Sequence, residues 1–185
     1  IEIHNRPSYV EILTSQIKNR VISLYFHNDP LSMDGSKSVS DRKKILKKFY
    51  KIIFNSMWSK KRFLEGLENK FVNSNKLIVF YQSATKSSLK VINEKKNWIT
   101  FVGKLNRAKG YDVFAKSIKI ILNKNPSWKA KIIGDEKREK ISLNHKNANV
   151  LGFMQHTDVI KIFKKSSIAV ACSRWEEPFG RTSLE

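Results

Sequence analysis

The 185-residue sequence predicts an α/β protein built on two parallel sheets. Short apolar runs alternate with stretches of helical periodicity, which is typical of parallel strands joined by helical crossovers. The strand-like runs are continuously apolar, so each sheet is expected to be covered on both faces. A polar stretch at 94–97 separates two such series. We therefore predict one α/β unit in residues 1–95 and a second in residues 96–185, both incomplete because neither end of the chain resembles a terminus.

The first series is predicted to contain strands at four apolar runs. These strands are Ile1–Ile3, Val21–Phe26, Ile52–Phe54 and Lys76–Phe80. The intervening helices are Pro7–Arg20, Asp41–Tyr50 and a segment from an N-cap at Ser56 to Leu67. Pro7 suits a first helical turn, where an amide hydrogen has no intrahelical partner. The Ser56 hydroxyl is expected to accept one of the unpaired amides of its helix.

The second series has a more regular alternation of strands and helices. Its predicted strands are Trp98–Val102, Lys129–Ile133, Val150–Leu151 and Ile168–Cys172. Its predicted helices are Tyr111–Asn123, Glu136–Leu143, Thr157–Lys165 and one that begins with Arg181–Glu185. The first of these helices carries an apolar stripe that is expected to face the sheet. The stripe consists of Val113, Phe114, Ile118, Ile121 and Leu122.

Composition excludes several classes of protein. The single cysteine, Cys172, excludes an internal disulfide framework and a Cys-rich zinc site, and its apolar surroundings indicate a packing residue rather than a nucleophile. No apolar run approaches the roughly 18 residues of a membrane span. The net charge of +20 would favour nucleic acid or an anionic membrane, but the lysines are spread along the chain, as on solvated faces. The Asp41–Tyr50 helix, with four lysines beside Ile45, Leu46, Phe49 and Tyr50, is the best candidate for membrane contact.

Ligands of open parallel sheets bind at the carboxyl ends of the strands. This rule selects residues 27–29, 55–56, 103–110, 134–135 and 173–185. The 103–110 segment carries Lys104, Arg107 and Lys109 between two glycines, and cations beside a helix N-terminus suit a diphosphate. The segment is neither a Walker loop nor a Gly-x-Gly-x-x-Gly turn, which argues against a P-loop ATPase and a plain dinucleotide dehydrogenase. A basic surface loop is the alternative interpretation.

The stretch 173–185 is the most informative part of the chain. Pro178 and the glycine two residues later predict a tight turn, and the amides of residues 180–182 are predicted to form an anion cradle. Glu177 and Glu185 lie on either side of this cradle, and carboxylates accept hydrogen bonds from hydroxyl groups. A sugar nucleotide combines hydroxyl groups with phosphate and fits this pattern. The alternative is an acidic helix N-terminus stabilised by its dipole.

Residues 173–185 resemble the signature of the family-four retaining glycosyltransferases, in which seven residues separate two glutamates. Three more segments resemble the same family. Val102–Gly110 is similar to its Val-Gly-Arg/Lys-Leu…Lys-Gly segment. Gly134-Asp135 is similar to its Gly-x-Gly/Asp turn, and Leu151-Gly152-Phe153 is similar to its Leu-Gly-aromatic strand end. The resemblance covers nearly the whole chain and is strongest from Trp98 onward. It implies the GT-B fold, with the last part of the acceptor-side Rossmann-like domain in 1–95 and the first part of the nucleotide-sugar-binding domain in 96–185. The family commonly has proline where this chain has Cys172.

The resemblance also implies roles for individual residues. Lys104 and Lys109 would neutralise the donor diphosphate, so neither a metal nor another cofactor is expected, and transfer would proceed with retention at the anomeric carbon. Glu185 would bind the nucleotide ribose, and Glu177 the hydroxyl groups of the transferred sugar. The other implied donor-binding residues are Gly103, Gly134, Phe179, Gly180, Arg181 and Thr182. The implied catalytic set is Glu177, Lys109, Lys104 and His27; His27 falls where the family often has a histidine near the donor sugar, and His4 could line the same cleft.

The expected function is transfer of a sugar from a nucleotide-diphosphate donor to a cell-envelope polysaccharide, lipopolysaccharide or lipid-linked acceptor. The alternatives are a GT-B sugar-nucleotide epimerase and a basic nucleic-acid-binding module. The expected partners are the nucleotide-sugar donor and a glycan or lipid-linked acceptor, with peripheral contact at an anionic membrane and no nucleic acid. The expected location is the cytoplasm, at the inner face of the membrane.

Overall fold

The computed structural model describes residues 1–17, 19–83 and 94–185. These residues form two compact units. The first unit contains Ile1–Ser83 and Glu177–Gly180, and the second contains residues 94–176 and Arg181–Glu185. Each unit has one four-stranded, wholly parallel sheet and its own hydrophobic core. The predicted α/β class with two parallel sheets is confirmed.

The first unit has its strands in the order β1-β2-β3-β4. The strands are β1 (Glu2–His4), β2 (Ser23–Phe26), β3 (Lys51–Phe54) and β4 (Leu77–Val79). The helices are α1 (Val10–Gln16), α2 (Val39–Lys48) and α3 (Met57–Leu64). Short 3-10 turns lie at Pro7–Tyr9, Pro30–Ser32 and Asn69–Phe71. Ser56 caps α3 as predicted, because its hydroxyl accepts the amide of Ser59 at 3.1 Å.

The first helix is shorter than the predicted Pro7–Arg20. Pro7 opens a 3-10 turn, and the α-helix that follows ends at Gln16. The backbone then leaves helical geometry, because Ile17 is extended at ψ 96° and Asn19 adopts φ 57°. The Thr14 hydroxyl also donates to a carbonyl one turn back at 2.6 Å, a contact that competes with the helix. Position 18 lies outside the described residues.

Helix α2 does not offer an apolar face to a membrane. Its sequence suggested membrane contact, but Ile45, Leu46 and Phe49 are all less than 9% exposed and pack in the core of the first unit. The lysines of the helix remain at the surface. The side of this helix that faces solvent is therefore mainly charged. No helix in the described ranges is long and apolar enough to cross a membrane.

The second unit has its strands in the order β7-β6-β5-β8. The strands are β5 (Lys96–Val102), β6 (Lys129–Ile133), β7 (Ala148–Val150) and β8 (Ser166–Val170). The helices are α4 (Tyr111–Lys124), α5 (His156–Lys165) and α6 (Arg181–Leu184). On α4 the predicted stripe is partly wrong, because Val113 and Ile121 are exposed while Tyr111 and Ala115 are buried beside Phe114. The buried stripe is rotated by part of a turn around the helix.

The predicted helix Glu136–Leu143 is wrong. The crossover between β6 and β7, residues 134–147, is irregular along its length apart from a turn just before β7. Its acidic side chains are held by groups remote in sequence: the Asn106 amide donates to Glu136 Oε2 at 3.2 Å, and the amide of Arg107 donates to Glu139 Oε2 at 3.0 Å. These bonds help to hold the crossover in an extended path in place of a helix; residues 134–147 are called the strap below.

Candidate functional site

Two glycines let the carboxyl ends of β5 and β6 approach each other. The amide of Gly103, directly after β5, donates to the Ile133 carbonyl at 3.0 Å. A Cβ on Gly134, directly after β6, would lie 1.9 Å from the Gly103 carbonyl oxygen, so a larger residue does not fit there. Gly103 and Gly134, both predicted to bind the donor, are therefore neighbours at one edge of the sheet.

The segment after β8 closes on the same edge through Gly110. This residue is the N-cap directly before α4 and has φ 70°, and a Cβ on it would lie 1.9 Å from the Cys172 carbonyl oxygen. The Cys172 thiol donates to the Gly110 carbonyl at 3.4 Å, and burial raises the pKa of the thiol. Cys172 is a packing residue, as predicted, because a thiol with a raised pKa is a poorer nucleophile at neutral pH.

Asn106 organises the 103–110 loop from within. Its side chain is buried; Oδ1 accepts the Lys109 amide at 3.0 Å, and Nδ2 donates to Glu136 at 3.2 Å. Its carbonyl also accepts the Tyr111 amide at 3.0 Å. The Arg138 guanidinium, with a smaller contribution from Asn106, holds the pKa of Glu136 at about 2. Asn106 was not among the predicted site residues, although an asparagine in a loop just before a helix is a common signal for a turn.

The two predicted diphosphate ligands both lie on this loop. Lys104 is exposed, and Lys109 is half-buried with Nζ 5.4 Å from the ring centroid of Trp175. The amide of Arg174 donates to the Ala108 carbonyl at 2.9 Å, which holds the segment after β8 against the loop. The arrangement puts two basic side chains at the carboxyl edge of β5, where cations attract phosphate groups.

Glu185 lies between two basic groups of the second unit. Its Oε1 is 3.2 Å from His156 Nε2 and 3.1 Å from Arg181 Nη2, and the side chain is 11% exposed. Thr182 and Glu185 line a cavity of about 440 Å³ beside the end of β8. His156, the first residue of α5, was not among the predicted site residues, because its contact with Glu185 joins two elements that are distant in sequence.

The predicted donor-binding residues of the 173–185 motif are divided between the two units. Glu177, Phe179 and Gly180 fall in Glu177–Gly180, whereas Arg181, Thr182 and Glu185 belong to the second unit. Gly180 adopts φ 76° with open space around its α-carbon. Gly103, Lys104, Lys109 and Gly134 therefore lie together at the carboxyl edge of the second sheet. The two motif glutamates, Glu177 and Glu185, belong to different units. The assigned roles of all these residues stay predictions.

In the first unit, three aromatic rings stack at the ends of β1 and β2. The ring centroids of Tyr25 and His27 are 4.3 Å apart, and those of His4 and His27 are 5.1 Å apart. The Tyr25 hydroxyl donates to the Phe80 carbonyl at 2.7 Å, which ties the stack to the segment after β4. His4 and His27 thus lie together, although 23 positions separate them in sequence.

A directed chain of hydrogen bonds passes through these histidines. The Gln82 side-chain amide lies 2.8 Å from His27 Nδ1, which makes that nitrogen the acceptor. His27 Nε2 then carries the proton and donates to His4 Nδ1 at 2.8 Å, and His4 Nε2 lies 3.5 Å from Glu2. Burial, with a smaller contribution from His4, lowers the pKa of His27. The arrangement fixes one neutral tautomer of His27.

Within residues 1–17, 19–83 and 94–185, no group of three His, Cys, Asp or Glu side chains is placed to hold a metal ion. The expectation that the protein uses neither a metal nor another cofactor stays a prediction.

Two Rossmann-like units, each with a four-stranded parallel sheet, and the basic 103–110 loop at the carboxyl end of β5 are features of the GT-B fold, which this chain has. The sequence profile of the family described as Glycosyl transferases group 1 matches residues 82–185, more than half of the chain. The chain belongs to this family. No curated protein sequence matches it.

Several solved structures share the fold at low sequence identity. Anabaena HepE, solved in complex with UDP and glucose, matches with a TM-score of 0.68 and 17% identity over 98% of this chain and 55% of its own. The pneumococcal O-GlcNAc transferase GtfA, in complex with UDP and GlcNAc, matches with a TM-score of 0.66 and 14% identity over 98% and 38%. TarM, known from S. aureus, matches with a TM-score of 0.67 and 13% identity over 95% and 36%. The chain thus spans about half or less of these relatives.

Proposed function

We propose that this protein transfers a sugar from a nucleotide-diphosphate donor and that its second unit binds the donor. The observation that carries the proposal is the 103–110 loop, with Lys104 and Lys109 at the carboxyl edge of β5. Negative charge develops on the diphosphate as it leaves, and fixed cations stabilise that charge most when they are held in position beforehand. Asn106 and the Gly110–Cys172 contact supply that fixed position.

The finer donor contacts follow the family resemblance. In this proposal Glu185 accepts hydrogen bonds from the ribose hydroxyl groups, and its contacts with His156 and Arg181 support a carboxylate held in one orientation. Glu177 receives the sugar hydroxyl groups. Phe179 and the amides of residues 180–182 complete the donor contacts. A uridine diphosphate sugar is the first donor to test, because HepE and GtfA were solved with UDP.

The reaction is proposed to retain the anomeric configuration and to need no divalent metal, since the two lysines would take the place of a cation at the diphosphate. The proposed acceptor is a cell-envelope polysaccharide, a lipopolysaccharide or a lipid-linked glycan. The proposed location is the cytoplasm at the inner face of the membrane, where the exposed lysines of α2 would face anionic headgroups.

A thermal-shift panel of nucleotide sugars tests the donor site on the protein as its gene encodes it. A donor at 100 times its dissociation constant adds about 2.7 kcal/mol of stability, which for a chain of 150–250 residues raises the melting temperature by about 5–10 °C. The shift should shrink in Lys104→Gln and persist in Lys137→Gln, which removes another exposed lysine of the same unit. A cooperative melt that no nucleotide sugar shifts would contradict the proposal.

Product analysis tests the reaction itself. Incubation with the donor that binds and with candidate acceptor glycans should yield a glycoside whose anomeric proton coupling matches that of the donor. Added EDTA should leave the rate unchanged. Conversion of the sugar nucleotide to an isomer without any acceptor would favour the epimerase alternative, and an inverted anomeric centre would refute retention.

A further inference from the structure

A second cavity in the second unit lies apart from the predicted donor residues. It has a volume of about 620 Å³ and is formed by one side of α4, the strap at 140–142, Arg107 and Arg174. Gly103, Lys104, Lys109 and Gly134 do not line it. Its volume falls within the range of about 300–1,000 Å³ that is usual for small-molecule sites.

The lining of this cavity is strongly cationic. Five basic side chains face a single carboxylate; they are Arg107, Lys116, Lys119, Lys140 and Arg174, and the carboxylate is Asp112. Asp112 is committed to Arg174, whose Nη2 lies 2.6 Å from its Oδ2. Within the described ranges, no carboxylate oxygen lies within 4.0 Å of the charged nitrogens of the other four basic residues.

Local structure explains why the charges converge. Asp112, Lys116 and Lys119 occupy positions i, i+4 and i+7 of α4, which share one face of a helix. Lys140 comes from the strap, which Glu136 and Glu139 tether to the 103–110 loop. Ile141 packs against the core and anchors this part of the strap. The basic groups are therefore presented by fixed backbone, which lowers the entropic cost of binding a ligand.

We propose that this cavity binds a ligand with at least two phosphoryl groups, either a free phosphorylated metabolite or the headgroup of a phosphorylated lipid. Like charges gathered around one cavity repel one another, and a polyvalent anion relieves that repulsion. Three lysines supply point charges to phosphate oxygens, and Arg107 supplies a planar fork. This site is separate from donor binding and does not depend on the proposed transfer reaction.

Inorganic tripolyphosphate is the soluble probe, measured by titration calorimetry at low salt on the protein as its gene encodes it. The variant Lys116→Gln/Lys119→Gln/Lys140→Gln should weaken binding at least tenfold. The control Lys129→Gln/Lys137→Gln/Lys146→Gln removes the same charge from exposed positions outside the cavity and should change binding less than threefold. Equal weakening in both variants would overturn the proposal, because it would reflect diffuse attraction to a +20 protein.

Two further arms identify the source of the phosphate and separate this site from the donor loop. If the ligand is a lipid headgroup, the protein should co-sediment with vesicles that contain phosphatidic acid more than with vesicles of phosphatidylcholine alone, and the difference should depend on the cavity lysines. Tripolyphosphate binding without such co-sedimentation indicates a free metabolite. In a Lys104→Gln background, in which the donor loop is weakened, the three cavity substitutions should still weaken tripolyphosphate binding at least tenfold. Binding that Lys104→Gln removes and the cavity substitutions leave unchanged would overturn the proposal. Absence of binding to both probes, or binding only to duplex DNA, would also overturn it.

Discussion

The contact between Gly110 and Cys172 can be tested with two alanine substitutions that differ in one respect. Gly110 and Gly152 have nearly the same positive φ, 70° and 71°. A Cβ on Gly110 would lie 1.9 Å from the Cys172 carbonyl oxygen, whereas a Cβ on Gly152 would meet nothing within 4 Å. Gly110→Ala and Gly152→Ala therefore share the cost of a left-handed alanine and differ in the steric overlap.

The expected magnitudes follow from these two contributions. A left-handed conformation costs a non-glycine residue about 1–2 kcal/mol, so Gly152→Ala should lower the free energy of unfolding by about that amount. Relieving a backbone overlap costs about 1–3 kcal/mol more, because the 171–175 segment must move off the loop. Gly110→Ala should therefore lose about 2–5 kcal/mol in all.

Urea unfolding followed by tryptophan fluorescence measures the difference. A Trp58→Phe background leaves three tryptophans, Trp98, Trp128 and Trp175, and all of them belong to the second unit. Equal losses of stability in the two alanine variants would refute the close approach of Gly110 to Cys172. Donor binding by the folded Gly110→Ala protein should also weaken, since Lys109 precedes the displaced residue.

Four other predictions concern buried or paired polar groups. Asn106→Ala should lower the stability of the second unit by about 1–3 kcal/mol in urea, because it leaves the Lys109 amide without its acceptor. Arg42→Lys should destabilise the first unit by a similar amount of about 1–3 kcal/mol in the same measurement, because its guanidinium donates to three backbone carbonyls that one ammonium group does not reach together. The pKa of His27 in the folded protein is lowered from 6.5, so at a pH between the folded and unfolded pKa values the unfolded chain binds more protons. The stability of the first unit, measured by hydrogen exchange, should therefore fall as the pH drops below about 6.5. His27→Gln should remove this part of the loss. Nitrogen NMR shifts should place the proton of neutral His27 on Nε2, and Gln82→Leu should redistribute it between the two ring nitrogens.

Much of the fold follows from local sequence pattern. Lys129–Ile133 has the bounds that its apolar run predicts, and Ser56 caps its helix as a serine at a strand-to-helix junction should. Parallel pairing follows from continuously apolar strands joined by helices. Such features depend on neighbours a few positions away, which periodicity and turn chemistry report directly.

The errors arise where distant groups decide the local structure. The helix expected at 136–143 is absent, and its two carboxylates are bound by Asn106 and Arg107, about 30 positions earlier, as well as by the nearby Arg138. The contact of His156 with Glu185 likewise joins elements that share no local pattern. The strand-end rule still selected His27, because it is a statement about topology, but the direction of its hydrogen bonds depends on Gln82.

The irregular crossover between β6 and β7 should tolerate changes of sequence better than a helix in the same place would. A helical crossover is a cooperative element whose length and faces must match the sheet beneath it. The strap is instead fastened at separate points, by the bonds of Glu136 and Glu139 near its start and by the core contact of Ile141, and it is exposed at Asn144 and Lys146. Substitutions at such exposed positions should therefore leave the strands in register. The charge and size of the second cavity can then diverge between relatives, or be redesigned, without altering the loop that is proposed to bind the donor.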